Sequence, residues 1–211
     1  MNHRLNGAWV RRVLVTLGFA ILLLPAAAYA YAFHIRSAAA TLVNTARQIH
    51  STADAEREIA AWRKRSGQRF WEESDHLGGD HNYDGQIENL LISRFYFVAP
   101  SAVTLGITMR DGKLRCLTLV MMSGRYPTGA IWIQEWFDPD PAKDFHISQK
   151  NRPRQAVVEF SSSVPEAQRE NAFALNLDCF LRTRGCNSAE EILPAVWKLP
   201  RAKRADNSPL K

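Results

Sequence analysis

Residues 103–122 read VTLGITMRDGKLRCLTLVMM, and their patterning decides the fold. Val103, Leu105, Ile107 and Met109 alternate with Thr104, Gly106, Thr108 and Arg110, the period of two that gives a strand one buried and one open face. Asp111-Gly112 follows, a pair that tolerates the positive φ angles of a tight two-residue hairpin. Lys113 to Met122 is then the return strand, apolar on nearly both faces and therefore expected to be central. Outward from this hairpin, Ile92 to Val98 and Ala130 to Phe137 read as flanking strands and Gln155 to Phe160 as a fifth. The expectation is an antiparallel sheet of about five strands.

Helices are expected on both sides of the sheet in the chain, which makes the class α+β. From Ile35 to about Lys64 the sequence is Ala-rich and lacks Pro and Gly, favouring helix. Ser51 or Thr52 ahead of Asp54 predicts a break near residue 50 and a second helix behind it. In the C-terminal third, Ser163 with Glu166 and Ser188 with Glu191 have capping-box spacing. Phe173, Leu177, Phe180 and Leu181 make an apolar stripe that should pack, as C-terminal helices, on one sheet face. The chain divides accordingly into a membrane anchor or signal peptide (1–33), a helical connector (34–74), an α+β domain (75–200) and a basic tail (201–211) without apolar periodicity, expected to be disordered.

Val13 to Phe33 is an uncharged run of 21 residues behind Arg11 and Arg12, long enough to cross a bilayer as a helix. Basic residues stay cytoplasmic, so the chain beyond it is expected outside the cytoplasm, in the periplasm of a single-pass inner-membrane protein or beyond. The alternative is secretion after cleavage near Ala30, since Ala28-Tyr29-Ala30 fits a small-residue cleavage site. The net charge of +6 over 211 residues hints at nucleic acid. The excess sits at the two ends, however, and residues 34–197 hold 19 basic against 20 acidic side chains. No basic footprint for phosphates remains, and nucleic acid is not an expected partner. Three cysteines in an exported chain suggest one disulfide. Cys179 and Cys186 are the expected pair because Gly185 can turn the chain back on itself, with Cys116 left as a buried strand residue.

The candidate sites are two. Asp80, Asn82, Asp84, Gly85 and Ile87 fit D-x-N-x-D-G-x-I, resembling the first eight positions of an EF-hand loop. The bidentate acid of position twelve is replaced by Leu91, and Glu88 sits at position nine. Calcium on Asp80, Asn82, Asp84 and Glu88 is thus one reading, and a polar loop over residues 74–86 the favoured one. Asp75, His76, Asp80, His81 and Asp84 could alternatively serve a divalent-metal hydrolase. Trp132 and Trp136, on one face of AIWIQEWF, either fill the interface between sheet and helices or form an aromatic binding strip. No G-x-S-x-G elbow, Walker loop or dinucleotide fingerprint occurs.

ALNLDCFLRTRGC (174–186) followed by SAEEILPAVW (188–197) resembles segments of uncharacterised bacterial single-pass envelope proteins with a similar N-terminal anchor. That resemblance carries no catalytic residue. The expected function is a binding or scaffold domain outside the cytoplasm, held by its N-terminal helix, without catalysis or cofactor and with an envelope protein as partner; the alternative is the exported metal-dependent hydrolase.

Overall fold

Helix propensity acts on the N-terminal third as the composition dictates, and more continuously than a separate anchor and connector would suggest. In the computed structural model, which describes residues 7–64, 69–74, 79–89, 98–125, 128–137, 145–151 and 154–198, a single helix α1 runs Gly7–Gln48 straight through Pro25. Its described side chains from Trp9 to Ala27 are all exposed. From Ala28 onward burial recurs at Ala28, Ala32, Ala39, Leu42, Val43 and Ala46, a helical spacing that turns one face toward the sheet. The chain breaks after Gln48, and Ser51 accepts the Asp54 N–H to open α2, Thr52–Lys64. Ile59 and Trp62 of α2 enter the same core.

Among the described residues the sheet has seven strands rather than about five, and it is mixed rather than antiparallel. Its strands are β1 Arg69–Ser74, β2 Asp80–Glu88, β3 Ser101–Arg110, β4 Lys113–Ser123, β5 Gly129–Trp136, β6 His146–Asn151 and β7 Gln155–Ser161, in the spatial order β1-β2-β3-β4-β5-β7-β6. The first five form an antiparallel meander. Asp111 and Gly112 both take positive φ, 52° and 70°, at the β3–β4 turn. The last two strands form an antiparallel hairpin whose return strand, β7, lies parallel to β5. Burial explains the choice: Ala156, Val158 and Phe160 of β7 are fully buried, whereas β6 reads HISQKN. The apolar strand goes inside and the polar one takes the edge.

Residues 80–88, expected as part of a polar loop, are a strand. Tyr83, Gly85 and Ile87 face the core side while the polar residues between them face out, so β2 needs only alternate apolar positions to hold its register. The expected strand over 92–98 lies outside the described residues apart from Val98, as do Asp75, His76 and the basic tail.

All described helices pack on one side of the sheet. Val103, Leu105 and Ile107 of β3, Leu117, Leu119 and Met121 of β4, and Ile131 and Ile133 of β5 meet α1, α2 and the C-terminal segments in one core. Those segments are shorter than the apolar stripe suggested. Helix α3 is Glu166–Ala172, without a side-chain cap from Ser163, and Phe173 ends it. Leu177–Phe180 is a separate 3-10 turn whose N–H at Asp178 is capped by Asn176. Ser188 caps α4, Ala189–Ile192, as its spacing predicts. Cys179 and Cys186 are joined in a disulfide and Cys116 is buried outside it.

A buried ion pair locks the layers together. Arg169 of α3 and Glu135 of β5 are 2% and 1% exposed, with Nε–Oε1 at 2.7 Å and Nη2–Oε2 at 3.0 Å. The same guanidinium donates to the carbonyls of Ala46, Arg47 and Ile49, the acceptors that the end of α1 leaves without helical partners. Burial pushes the Glu135 carboxyl up, and the hydrogen bonds and charge of Arg169 pull it back only in part.

Removing one partner strands the other charge in the core. Glu135→Gln or Arg169→Met should therefore lower the unfolding free energy of the full chain by about 3–5 kcal/mol, read by denaturant melts in detergent. The double variant Glu135→Leu/Arg169→Met should recover part of that loss.

Candidate binding face of the sheet

Strand alternation gives the sheet a second face, and among the described residues no helix covers it. Across one register line it presents Trp71 of β1, Asp84 of β2, Gly106 of β3, Thr118 of β4, Gln134 of β5 and Glu159 of β7. Trp132 and Trp136 flank Gln134 on this face, half-buried, while their neighbours Ile131, Ile133 and Glu135 point into the core. The two tryptophans thus lie opposite the helices rather than beneath them. Trp71 and Met122 are the exposed large apolar residues of the face, at 44% and 42%.

Asp80, Asn82, Asp84 and Glu88 also share this face, but as successive positions of an extended strand. Side chains two residues apart on a strand stand about 7 Å apart, so these four are spread in a line where a calcium loop would gather them. Three of them have local partners. Asp80 takes both guanidinium arms of Arg110 and lies 3.4 Å from Arg115. A register irregularity in the β3–β4 pairing at Thr108/Met109, opposite Arg115, lets that arginine reach the open face. Asn82 accepts from the Thr108 hydroxyl at 2.9 Å. Glu88 pairs with Arg69 at 2.6 Å and accepts from Gln86. His81 is exposed on the other side of the strand. Among the described residues no group of three or more His, Cys, Asp or Glu side chains is placed to hold a metal ion.

Asp84 is the exception. Its carboxylate has no ion pair or hydrogen bond with another described residue, nor has that of Glu73 on β1. The side chain lies across Gly106: a Cβ built there would stand 2.7 Å from Asp84 Oδ1, so glycine is what leaves the carboxylate its place. Around it Trp71, Glu72, Glu73, Asp84, Gln86 and Thr104 line an open cavity of about 570 Å³. Glu72 is neutralised by Arg63 at 2.9 Å. Burial first, and the negative charge of Glu73 second, hold the Asp84 carboxyl above the usual carboxylate range. An indole beside two carboxylates that have no partner among the described residues suits a cationic, hydrogen-bond-donating group. The sequence offers Phe70-Trp71 as aromatics only by their nearness in chain order to Trp132 and Trp136, and gives no signal for Glu73, because β1 looks like part of a connector. The alternation of Tyr83 and Ile87 with polar residues was the available signal for β2, and pairing it with RFWEES would have brought them in.

Compared with protein-family models, with curated proteins and with solved structures, the chain gives no match.

Because the folded state raises the Asp84 pKa, this group favours folding only where it is protonated. That contribution is full below the unfolded carboxylate value of about 3.9 and is lost as the pH rises through the higher folded value. Asp84→Asn should therefore melt above the unmodified chain at neutral pH, with the gap closing toward pH about 4, in pH-resolved thermal melts. A lower melting temperature at neutral pH would mean that the carboxylate is a structural bond instead.

Proposed function

We propose that this chain is a single-pass membrane protein that holds a non-catalytic binding domain outside the cytoplasm, and that the domain engages a basic segment of an envelope partner on the uncovered sheet face. The observation that carries the binding reading is Asp84: a half-buried carboxylate with no cation partner among the described residues, given room by Gly106 and set between Trp71 and Glu73. Such a group weakens the fold at neutral pH and would gain from an incoming ammonium or guanidinium. Trp132, Gln134 and Trp136 extend the face toward β7 and offer flat apolar contact beside the charged end.

The membrane reading is supported by α1, which is long and apolar enough to cross a bilayer. Arg11 and Arg12 at its start favour the cytoplasmic side for the N-terminus. The Cys179–Cys186 disulfide suits an oxidising compartment. Retention of the helix is favoured over cleavage because Ala28 and Ala32, which bracket the small-residue site, are packed under Val98. Cleavage after Ala30 would cut α1 between them.

Two measurements test this. Mass spectrometry of the mature chain should find the N-terminal helix present and the protein in the pellet after alkaline carbonate extraction; a chain beginning at Tyr31 in the soluble fraction would overturn the anchor. Tryptophan fluorescence of the purified full chain should report saturable, salt-sensitive binding of an oligolysine peptide and none of oligoglutamate. Asp84→Asn should weaken it roughly ten- to a hundredfold, the worth of a charged hydrogen bond, and Gly106→Ala should do so with the fold intact, since only the Asp84 side chain blocks the added methyl. Binding that survives both substitutions would remove the face from consideration.

A further inference from the structure

The helix that spans and the helix that docks are the same, and their lengths overlap. Val13 to Phe33 is the uncharged run, and 21 helical residues rise about 31 Å, the thickness of one hydrocarbon core. Docking already begins inside that run: Ala28 and Ala32 are 6% and 0% exposed, packed against Val98 with Leu181 alongside. Six residues, Ala28 to Phe33, are therefore claimed both by the bilayer and by the domain. Both claims can be met only if the end of the domain that carries Val98 and Leu181 rests in the membrane's interfacial layer. Tyr29, Tyr31 and Phe33 are exposed at the same level, at 56%, 38% and 56%, the residue types that favour the headgroup region.

The charge at this end fits that position. The backbone N–H of Ala99 bonds the carbonyl of Arg182, that of Gly124 bonds Pro100, and Arg125 reaches the carbonyl of Val98, so residues 98–100, 124–125 and 181–186 form one surface around the emerging helix. It carries Arg125, Arg182 and Arg184, the last two exposed. Among the described acids near it, Asp178 pairs with Arg36 at 2.8 Å and Glu191 accepts the Asn187 N–H, and both acids of α4, Glu190 and Glu191, are exposed. Opposite, α1 ends at the hairpin end of the sheet, where Thr52 accepts the Leu114 N–H.

We infer that the surface formed by Val98, Arg125 and Leu181 to Arg184 sits in the headgroup layer and binds anionic phospholipid phosphates through Arg125, Arg182 and Arg184. This rests on the reading of α1 as a retained membrane span. Leu181 supplies an apolar contact at the acyl boundary, and the arginines supply the donor geometry that phosphate oxygens accept.

The test uses the full chain in vesicles of phosphatidylcholine alone or mixed with phosphatidylglycerol. A nitroxide on Thr183→Cys should be shielded from an aqueous nickel chelate and report headgroup depth, while one on Asp111→Cys, at the far turn, should be fully aqueous. Phosphatidylglycerol should co-purify with the chain and be lost from Arg125→Gln/Arg182→Gln/Arg184→Gln, preference for it over phosphatidylcholine falling about fivefold per arginine removed. A label at 183 as accessible as that at 111, in protein that stays in the pellet through carbonate, overturns this inference and leaves the anchor standing. Unchanged phosphatidylglycerol retention in the triple variant overturns the lipid contact. Protein that washes off the vesicles overturns the anchor and this inference with it.

Discussion

Arg169 holds the architecture together at the buried seam between α1, α3 and β5. A guanidinium is charged at every relevant pH and must be satisfied wherever it is buried. Here its donors are divided between the carboxylate of Glu135 on a central strand and the last carbonyls of α1. One side chain from α3 thereby fixes where the long helix stops and which strand lies beneath that end. Arg47 returns the connection by donating to the carbonyl of Phe173. Apolar contacts could hold these layers at many offsets. The directional bonds select one, and α2, which begins four residues after α1 ends, inherits its placement from that choice.

With every helix committed to one side, the sheet is left with two unlike faces. The covered side is aliphatic and aromatic core, and the charges of Glu135 and Glu72 on it are neutralised from the helices above, by Arg169 and Arg63. The open side is a grid of threonines, amides, carboxylates and indoles in which most described charges are answered from one or two strands away. Arg69, Arg110 and Arg115 serve Glu88 and Asp80. That economy makes Asp84 and Glu73 stand out, because among the described residues nothing comparable is supplied to them.

The legible parts of the fold are those where periodicity and burial coincide. The alternation in β3, the Asp111-Gly112 turn, the apolar run of β4 and the apolar positions of β5 and β7 all follow from strand geometry, and each element lies where its pattern put it. The long N-terminal helix, the break near residue 50 and the Cys179–Cys186 pairing were equally readable. Strands β1, β2 and β6 were not: DHNYDGQIE and HISQKN are rich in residues that local propensity assigns to turns, RFWEES mixes aromatics with helix-favouring Arg and Glu, and only pairing with a more apolar neighbour makes them extended. Order in the sheet was invisible for a similar reason: whether β6 or β7 lies beside β5 depends on which is better buried there, a comparison between distant segments. Glu135 did leave a trace, as an acid on the apolar side of β5 between Ile133 and Phe137, but its partner lies 34 residues away in a helix that otherwise reads as solvated. At the candidate site, Asp84, Trp132 and Trp136 were singled out from local chemistry, whereas Trp71 and Glu73 reach it only through the pairing of β1.

On the membrane reading proposed above, the unbroken passage of α1 from its exposed half into the core has a consequence for encounter. A domain on a loose tether tumbles, and each partner it captures must freeze that motion, at an entropic loss that weakens association. A domain rooted by a continuous helix has already given up most tilting freedom and keeps chiefly rotation about the membrane normal. Its open face then sweeps a ring of fixed height. Whatever meets it must itself be held at that height, so the helix acts as a filter on candidates before any side chain on the sheet is touched.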